Sequence, residues 1–178
     1  NCALYCGAKI DFVDIDLSTY NISILNLEKK LETAKKENKL PKIIIVVHMA
    51  GLSCDMINIK KLSKIYNFKI IEDASHAIGG IYNNFKVGSC KYSDVTVFSF
   101  HPVKIITTAE GGMIVTNSKK IYNKLICLRH AGTIRYKNSF NINNSNDISL
   151  NHKIDTIHAS ILIEKLKYLK DVLNRREK

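Results

Sequence analysis

The chain has 178 residues, enough for one domain with a substantial core, and its 46% hydrophobic content is ordinary for a globular protein. A formal charge of +11 invites a nucleic-acid reading, yet Lys outnumbers Arg 23 to 4, the lysines spread over several predicted helices, and no groove-reading or aromatic-stacking motif accompanies them, so no nucleic-acid partner is expected. Five scattered cysteines (Cys2, Cys6, Cys54, Cys90, Cys127) argue against a disulfide framework, and with no apolar run near about 18 residues and no signal-peptide pattern, a soluble cytoplasmic protein without a membrane partner is expected.

Lys9 to Asp16 alternates apolar and polar residues as a half-buried strand does, and Leu27, Leu31 and Ala34 then recur at helical spacing. Pro41 ends the connection to Ile43–Val47, a β-branched run that reads as a buried parallel strand ending at His48. Ile59, Leu62, Ile65 and Tyr66 mark the next amphipathic helix, and Lys69–Asp73 is a strand that ends on acidic residues. Val95–Phe100 and Met113–Thr116 are two further strands, close enough to pair antiparallel around Lys104, and Ile121–Arg129 is a short helix.

From 137 to 152 the chain is Asn- and Ser-rich without periodicity and reads as a mobile loop. Ile154, Ile157, Ile161, Leu162, Leu166, Leu169 and Leu173 then keep helical spacing, predicting one long amphipathic helix over 153–178. The fold class is therefore α/β, a mainly parallel sheet covered by helices on both faces. Ligands of such sheets gather at the carboxyl ends of the strands, which places Asp73, His48 and Ser99 on one edge. The chain opens at Asn1 without a Met and stops at Lys178 within a helical pattern, so it is expected to be an internal piece of a longer protein.

Two stretches carry chemistry. Phe98 to Gly112 sets the amine of Lys104 on a turn between two strands, among hydroxyls and glycines, as imine chemistry on an aldehyde requires. Glu72 to Gly80 follows a strand directly, and Asp73 there suits either a partner for a protonated ring nitrogen or a helix N-cap. His48 and His101 each fit a structural imidazole as well as a functional one. His130, His152 and His158 lack ligand spacing, so no metal site is expected.

These stretches, with Phe12–Asp16, Val47–Met56 and Leu150–Asn151, resemble in order the motifs of the DegT/StrS-type sugar-nucleotide aminotransferases, which use pyridoxal 5′-phosphate on the fold-type-I scaffold. The resemblance implies that residues 1–136 form the central part of the large cofactor-binding domain. It makes Lys104 the catalytic amine that holds the cofactor as a Schiff base and shuttles a proton. Asp73 becomes the partner of the pyridine nitrogen, His76 the residue beside the ring, and Ser99 a phosphate ligand. Asn151 becomes the asparagine that reaches the neighbouring subunit's phosphate in a homodimer.

The implied activity is transfer of an amino group, with glutamate as the donor, to a nucleotide-linked keto sugar. The wording of Asn1–Asp16 and His48–Met56 is closest to members that aminate C4 of a UDP-linked 4-keto-6-deoxy-N-acetylhexosamine on the way to pseudaminic acid. The competing readings are a dehydratase of the same family, against which Lys104 argues because that chemistry has His in its place, and an inactive fragment or regulatory binding module. The resemblance further implies a phosphate-cradling turn upstream of Asn1 and a C-terminal domain beyond Lys178, so the 178-residue piece alone is expected to be inactive. Ala109 departs from a usual Gly, and a Cβ there strains the turn if φ is positive. His152-Lys153 replaces Tyr-Arg, and His158 replaces a frequent Gln, which touches the inter-subunit contacts more than the chemistry.

Overall fold

The computed structural model describes residues 1–136, 139–142 and 149–176. A short helix α1 (Cys2–Tyr5) precedes α2 (Ile24–Lys36), whose Ser23 cap accepts the Asn26 N–H and whose Leu27 and Leu31 are buried. Strand β1 (Ile43–Val47), helix α3 (Met56–Tyr66) and strand β2 (Lys69–Asp73) follow as a βαβ unit. Asp55 caps α3 at its start, and Asn67 ends it at φ 57, the left-handed conformation that Asn tolerates. A small hairpin of β3 (Ile81–Tyr82) and β4 (Phe85–Lys86) then leads to β5 (Val95–Ser99), β6 (Gly112–Val115) and helix α4 (Lys119–Arg129). The chain closes with β7 (Thr133–Tyr136), β8 (Ser139–Ile142), α5 (Thr156–Lys167) and α6 (Leu169–Arg176).

The main sheet has the order β1-β2-β5-β6, with β1, β2 and β5 parallel and β6 antiparallel to β5. This is the mainly parallel sheet that alternating strands and helices predict. Its register pairs Ile44 with Ile70, Val46 with Glu72, and Glu72 with Thr96, so these residues and Phe98 share one face. Against that face Leu27 and Leu31 of α2 and Met56, Ile59 and Leu62 of α3 build the first apolar cluster. Each such side chain contributes about 1.5–3 kcal/mol on full burial. A second cluster joins Ala74, Ala77, Phe98, Phe100 and Ile106 to Leu162 of α5.

The opposite face is less covered than expected. Ile43, Ile45, Val47 and Ile114 are each 45–52% exposed there, so the helices of the described residues cover one face of β1 and β2. The strand expected over Lys9–Asp16 is reduced to a single bridge between Ile15 and Ile22. Alternation marks a face and not a pairing partner; here the segment runs beside α2, held by the Lys30 ammonium on Asp11 at 2.6 Å.

Two further expectations change at the C-terminal end. Within the expected loop 137–152, β8 pairs antiparallel with β7, while residues 137, 138 and 143–148 lie outside the described residues. The single long helix expected over 153–178 is two helices that meet at Tyr168. Tyr168 has ψ near 5° and its N–H reaches back to Lys165 O, which tightens the turn and redirects the chain. That bend lets Leu162 and Leu169 enter the same cluster, and it brings Leu173 against Gly79.

Gly79 has φ +84, and a Cβ built on it lies 2.3 Å from Leu173 Cδ1. Gly79→Ala is expected to destabilise the chain by about 1–3 kcal/mol in urea unfolding, from overpacking and left-handed strain together. Adding Leu173→Ala should relieve the steric part, so that the double variant loses less than the sum of the two single losses. Strict additivity would mean that α6 does not pack on this turn.

Candidate active site at the strand ends

All three parallel strands deliver their carboxyl ends to one edge. β1 ends at Val47 with His48 directly after it, β2 ends at Asp73 and β5 at Ser99, and β6 starts opposite, where Gly112 pairs with Ser99. Asp73 pairs with Val97, so Asp73 and Ser99 stand on the same face of the sheet, opposite to Glu72 and Thr96. The predicted convergence of these strand-end residues is present.

No helix follows Asp73, which removes the N-cap alternative. Its Oδ1 accepts from the Ser75 N–H at 3.1 Å and the Ser75 hydroxyl at 2.5 Å, while Oδ2 has no hydrogen-bond partner among the described residues. His76, on the same turn, is exposed. The turn is supported from the side by Gly51, whose φ of +91 lets its backbone pass so close that a Cβ would stand 2.9 Å from the His76 carbonyl oxygen.

Lys104 lies on the Phe100–Gly111 loop between β5 and β6, half-buried, and its Nζ has no hydrogen-bond or ion-pair partner among the described residues. The base of this loop is closed by backbone bonds from Phe100 N–H to Gly111 O at 2.9 Å and from Thr108 N–H to Phe100 O at 2.9 Å. Thr107 and Thr108 add hydroxyl bonds to Phe100 O and Glu110 O, and Lys165 of α5 donates to Thr107 O at 2.8 Å. Ile106 is buried in the second cluster. The amine is thus carried on a fixed base. Ser99 Oγ accepts from the His101 N–H at 3.4 Å, a long bond that leaves the hydroxyl hydrogen free to donate. Asn151 sits apart from these residues, bridged to His130 at the end of α4, with its Oδ1 accepting from the Lys153 N–H at 3.4 Å.

Behind this edge is a polar network that no local sequence motif marks. His48 is fully buried, with Nε2 at 2.7 Å from Glu72 Oε2, and its Nδ1 accepts from the Cys54 N–H at 3.2 Å. His48 is therefore structural. The other Glu72 oxygen accepts from the Ser93 hydroxyl and, at 3.0 Å, from the Thr96 hydroxyl. Burial opposes ionisation of Glu72, but the hydrogen bonds from His48, Ser93 and Thr96 outweigh it and hold the carboxyl below the ordinary range. Burial likewise pushes the Cys54 thiol up to about 11, which makes it an inert core group.

An aldehyde cofactor with a pyridine ring and a phosphate asks three things of a site: an amine, an acceptor for the ring nitrogen and a donor to the phosphate. Asp73 with an unpartnered carboxylate oxygen and Ser99 with a free hydroxyl hydrogen lie at strand ends, and the loop that follows Ser99 carries the unpartnered Lys104 amine, so the residue types match the three functional groups. They fit.

Two outcomes follow from this geometry. Ala109 has φ 66, so Ala109→Gly should raise stability by about 0.5 kcal/mol in urea unfolding, since relief of left-handed strain outweighs the entropy cost of glycine; a loss of that size would contradict the strain. Because the Glu72 carboxyl is held down in the folded chain, its contribution to stability is complete above the unfolded value of about 4.3 and is lost as pH falls through the folded value. Unfolding free energies measured from pH 7 to 3 should therefore fall less steeply for Glu72→Gln than for the unaltered chain, and parallel curves would remove Glu72 as the cause.

The whole chain, residues 1–178, matches the model of the DegT/DnrJ/EryC1/StrS aminotransferase family. The chain is similar to UDP-4-amino-4,6-dideoxy-N-acetyl-beta-L-altrosamine transaminase of Campylobacter jejuni, with 39% identity over 178 residues that cover 99% of this chain and 45% of the relative. GDP-perosamine synthase of Escherichia coli O157:H7 shares 34% identity over 99% of this chain and 45% of its own length. Among solved structures, Helicobacter pylori PseC, an aminotransferase involved in the biosynthesis of pseudoaminic acid, superposes with a TM-score of 0.82 at 32% identity, over 94% of this chain and 42% of that one. A DegT/DnrJ/EryC1/StrS aminotransferase from Brucella abortus gives a TM-score of 0.84 at 32% identity, over 94% of this chain and 44% of that one. The chain spans about 45% of the length of the curated relatives it matches. By the match over its full extent, the chain belongs to the DegT/DnrJ/EryC1/StrS aminotransferase family.

Proposed function

We propose that this chain is the cofactor-binding centre of a pyridoxal-phosphate-dependent aminotransferase acting on a nucleotide-linked keto sugar. The observation that supports it most is the convergence of Asp73, Ser99 and the Lys104 loop at the strand ends, with Lys104 Nζ and Asp73 Oδ2 both unpartnered among the described residues. When bound, the cofactor supplies a ring that withdraws electrons from the carbon losing its proton. Lys104 would hold the cofactor through its Nζ and, when free, would be the base that takes and returns the proton. Asp73 Oδ2 would accept from the ring nitrogen and favour its protonated form, because a nearby carboxylate stabilises a cation. The Ser99 hydroxyl would donate to the phosphate, and His76 would stand on the ring side of the site.

Likeness to the Campylobacter jejuni and Helicobacter pylori proteins supports a UDP-linked 4-keto-6-deoxy-N-acetylhexosamine as the acceptor, aminated at C4 toward pseudaminic acid, and glutamate is proposed as the donor. Asn151 then serves the phosphate of the neighbouring subunit in a homodimer. Its exposure and its distance in sequence from the strand-end residues suit a contact made outward. Free, unpaired cysteines suit a cytoplasmic setting, and no helix among the described residues is long and apolar enough to cross a membrane.

In the full-length protein, borohydride reduction in the presence of pyridoxal phosphate should attach the cofactor to Lys104, and Lys104→Ala should lower turnover by several powers of ten, on the order of the loss of combined covalent and proton-transfer roles. Peptide mapping after reduction decides the matter. Label on another lysine, or a Lys104→Ala protein with near-normal turnover, would overturn the assignment.

A further inference from the structure

The buried network behind the strand ends has a shape that packing alone does not require. Glu72 is the residue before Asp73, and its side chain leaves the opposite face of β2. One carboxylate oxygen meets His48 just after β1, and the other meets Ser93 and Thr96 at the start of β5, so a single side chain near the carboxyl end of β2 ties the three parallel strands together. The His48 backbone N–H donates to Asp73 O at 3.0 Å, and the Ala74 N–H donates to Val97 O at 2.8 Å. Asp73 is therefore held through its own carbonyl on one side and through the following amide on the other.

His48 also controls the neighbouring turn. Because Nδ1 accepts a backbone N–H, the ring proton is on Nε2, and the imidazole donates to Glu72 as a neutral group. The Nδ1 bond fixes Cys54, at the far end of a segment in which Ala50 has φ 50 and Gly51 has φ 91. The same segment is tied to buried Asn21, which accepts from the Met49 N–H at 3.0 Å and donates to Leu52 O at 2.9 Å. Gly51 in turn abuts the His76 carbonyl. One pair of side chains thus supports both Asp73 and the backbone of His76.

We infer that His48 and Glu72 are a positioning pair, set on the inner face of the sheet, that holds Asp73 and the His76 turn in the arrangement the cofactor ring requires. The inference rests on the reading under Proposed function. Neither residue touches the cofactor; both act through Asp73 and the turn. Glu72→Gln is the discriminating variant, since the amide oxygen can still accept from His48 and the amide nitrogen can donate to the Ser93 and Thr96 hydroxyls, so shape is kept while the fixed charge is removed.

In the full-length protein with excess pyridoxal phosphate, Glu72→Gln should lower kcat about tenfold at unchanged cofactor stoichiometry, and it should shift the pH midpoint of the bound cofactor's visible band. In an Asp73→Asn background the same change should alter kcat by less than about twofold, because residues that act through one another are not additive. A Glu72→Gln protein within about twofold of the unaltered one, or a tenfold loss repeated in the Asp73→Asn background, would overturn the inference and leave the aminotransferase reading standing. An unaltered protein without a cofactor band would remove both. Should Glu72→Gln fail to fold, nitrogen-15 spectra of the unaltered protein still decide: a His48 ring protonated at Nε2 alone, whose resonance moves on cofactor loading, supports the pair. A proton on Nδ1, or a resonance that loading leaves unmoved, overturns it.

Discussion

A carboxylate inside a β-sheet is tolerated only if each of its oxygens is met, because an unpaired buried charge costs several kcal/mol. Glu72 satisfies that condition by drawing on two other stretches of chain, His48 after β1 and the segment of Ser93 and Thr96 at the start of β5. The sheet must then close with one register, since a slip of a single residue would turn Glu72 to the other face and leave His48, Ser93 and Thr96 buried without their carboxylate. The mutual register of β1, β2 and β5, and with it the placement of Asp73 and Ser99, is consistent with that one requirement.

The Lys104 loop solves a different problem. A reactive amine has to be mobile at its tip and fixed at its root. Closure of Phe100 on Gly111 and Thr108, the two threonine hydroxyls and the Lys165 bond all lie at the root, while Val103 is 75% exposed and the Lys104 amine is free of partners among the described residues. Cβ strain at Ala109 is carried in the same root, where the surrounding bonds are dense enough to impose it.

Much of this is legible in the amino-acid sequence. The turn around Lys104, the acid at the end of β2 and the serine five residues before the lysine are local in sequence, and a strand end followed by a turn projects such residues wherever the strand goes. Helices α2, α3 and α4 are readable for the same reason, because caps and apolar spacing are local. Relations between distant segments are not. His48 and Glu72 are 24 residues apart, and only the pairing of Val46 with Glu72 brings them together. Lys9–Asp16 has the alternation of a strand without a neighbour to pair with. The bend at Tyr168 leaves no mark in the pattern because apolar residues keep helical phase on both sides of it, and the turn that breaks the helix is set by the cluster into which Leu162 and Leu169 both reach.

The position of β1 has a consequence for how this chain behaves in solution. Among the described residues it pairs only with β2, so its other flank presents backbone donors and acceptors along the run Ile43–Val47. A five-residue, uncharged, wholly β-branched segment with an open hydrogen-bonding flank is a template onto which a like strand from another molecule can add. Pro41 and Lys42 stand directly before it, one unable to donate to a growing ladder and the other unwilling to stack against its own kind. Both residues oppose such addition, and salt, which screens the lysine, weakens its share of that opposition.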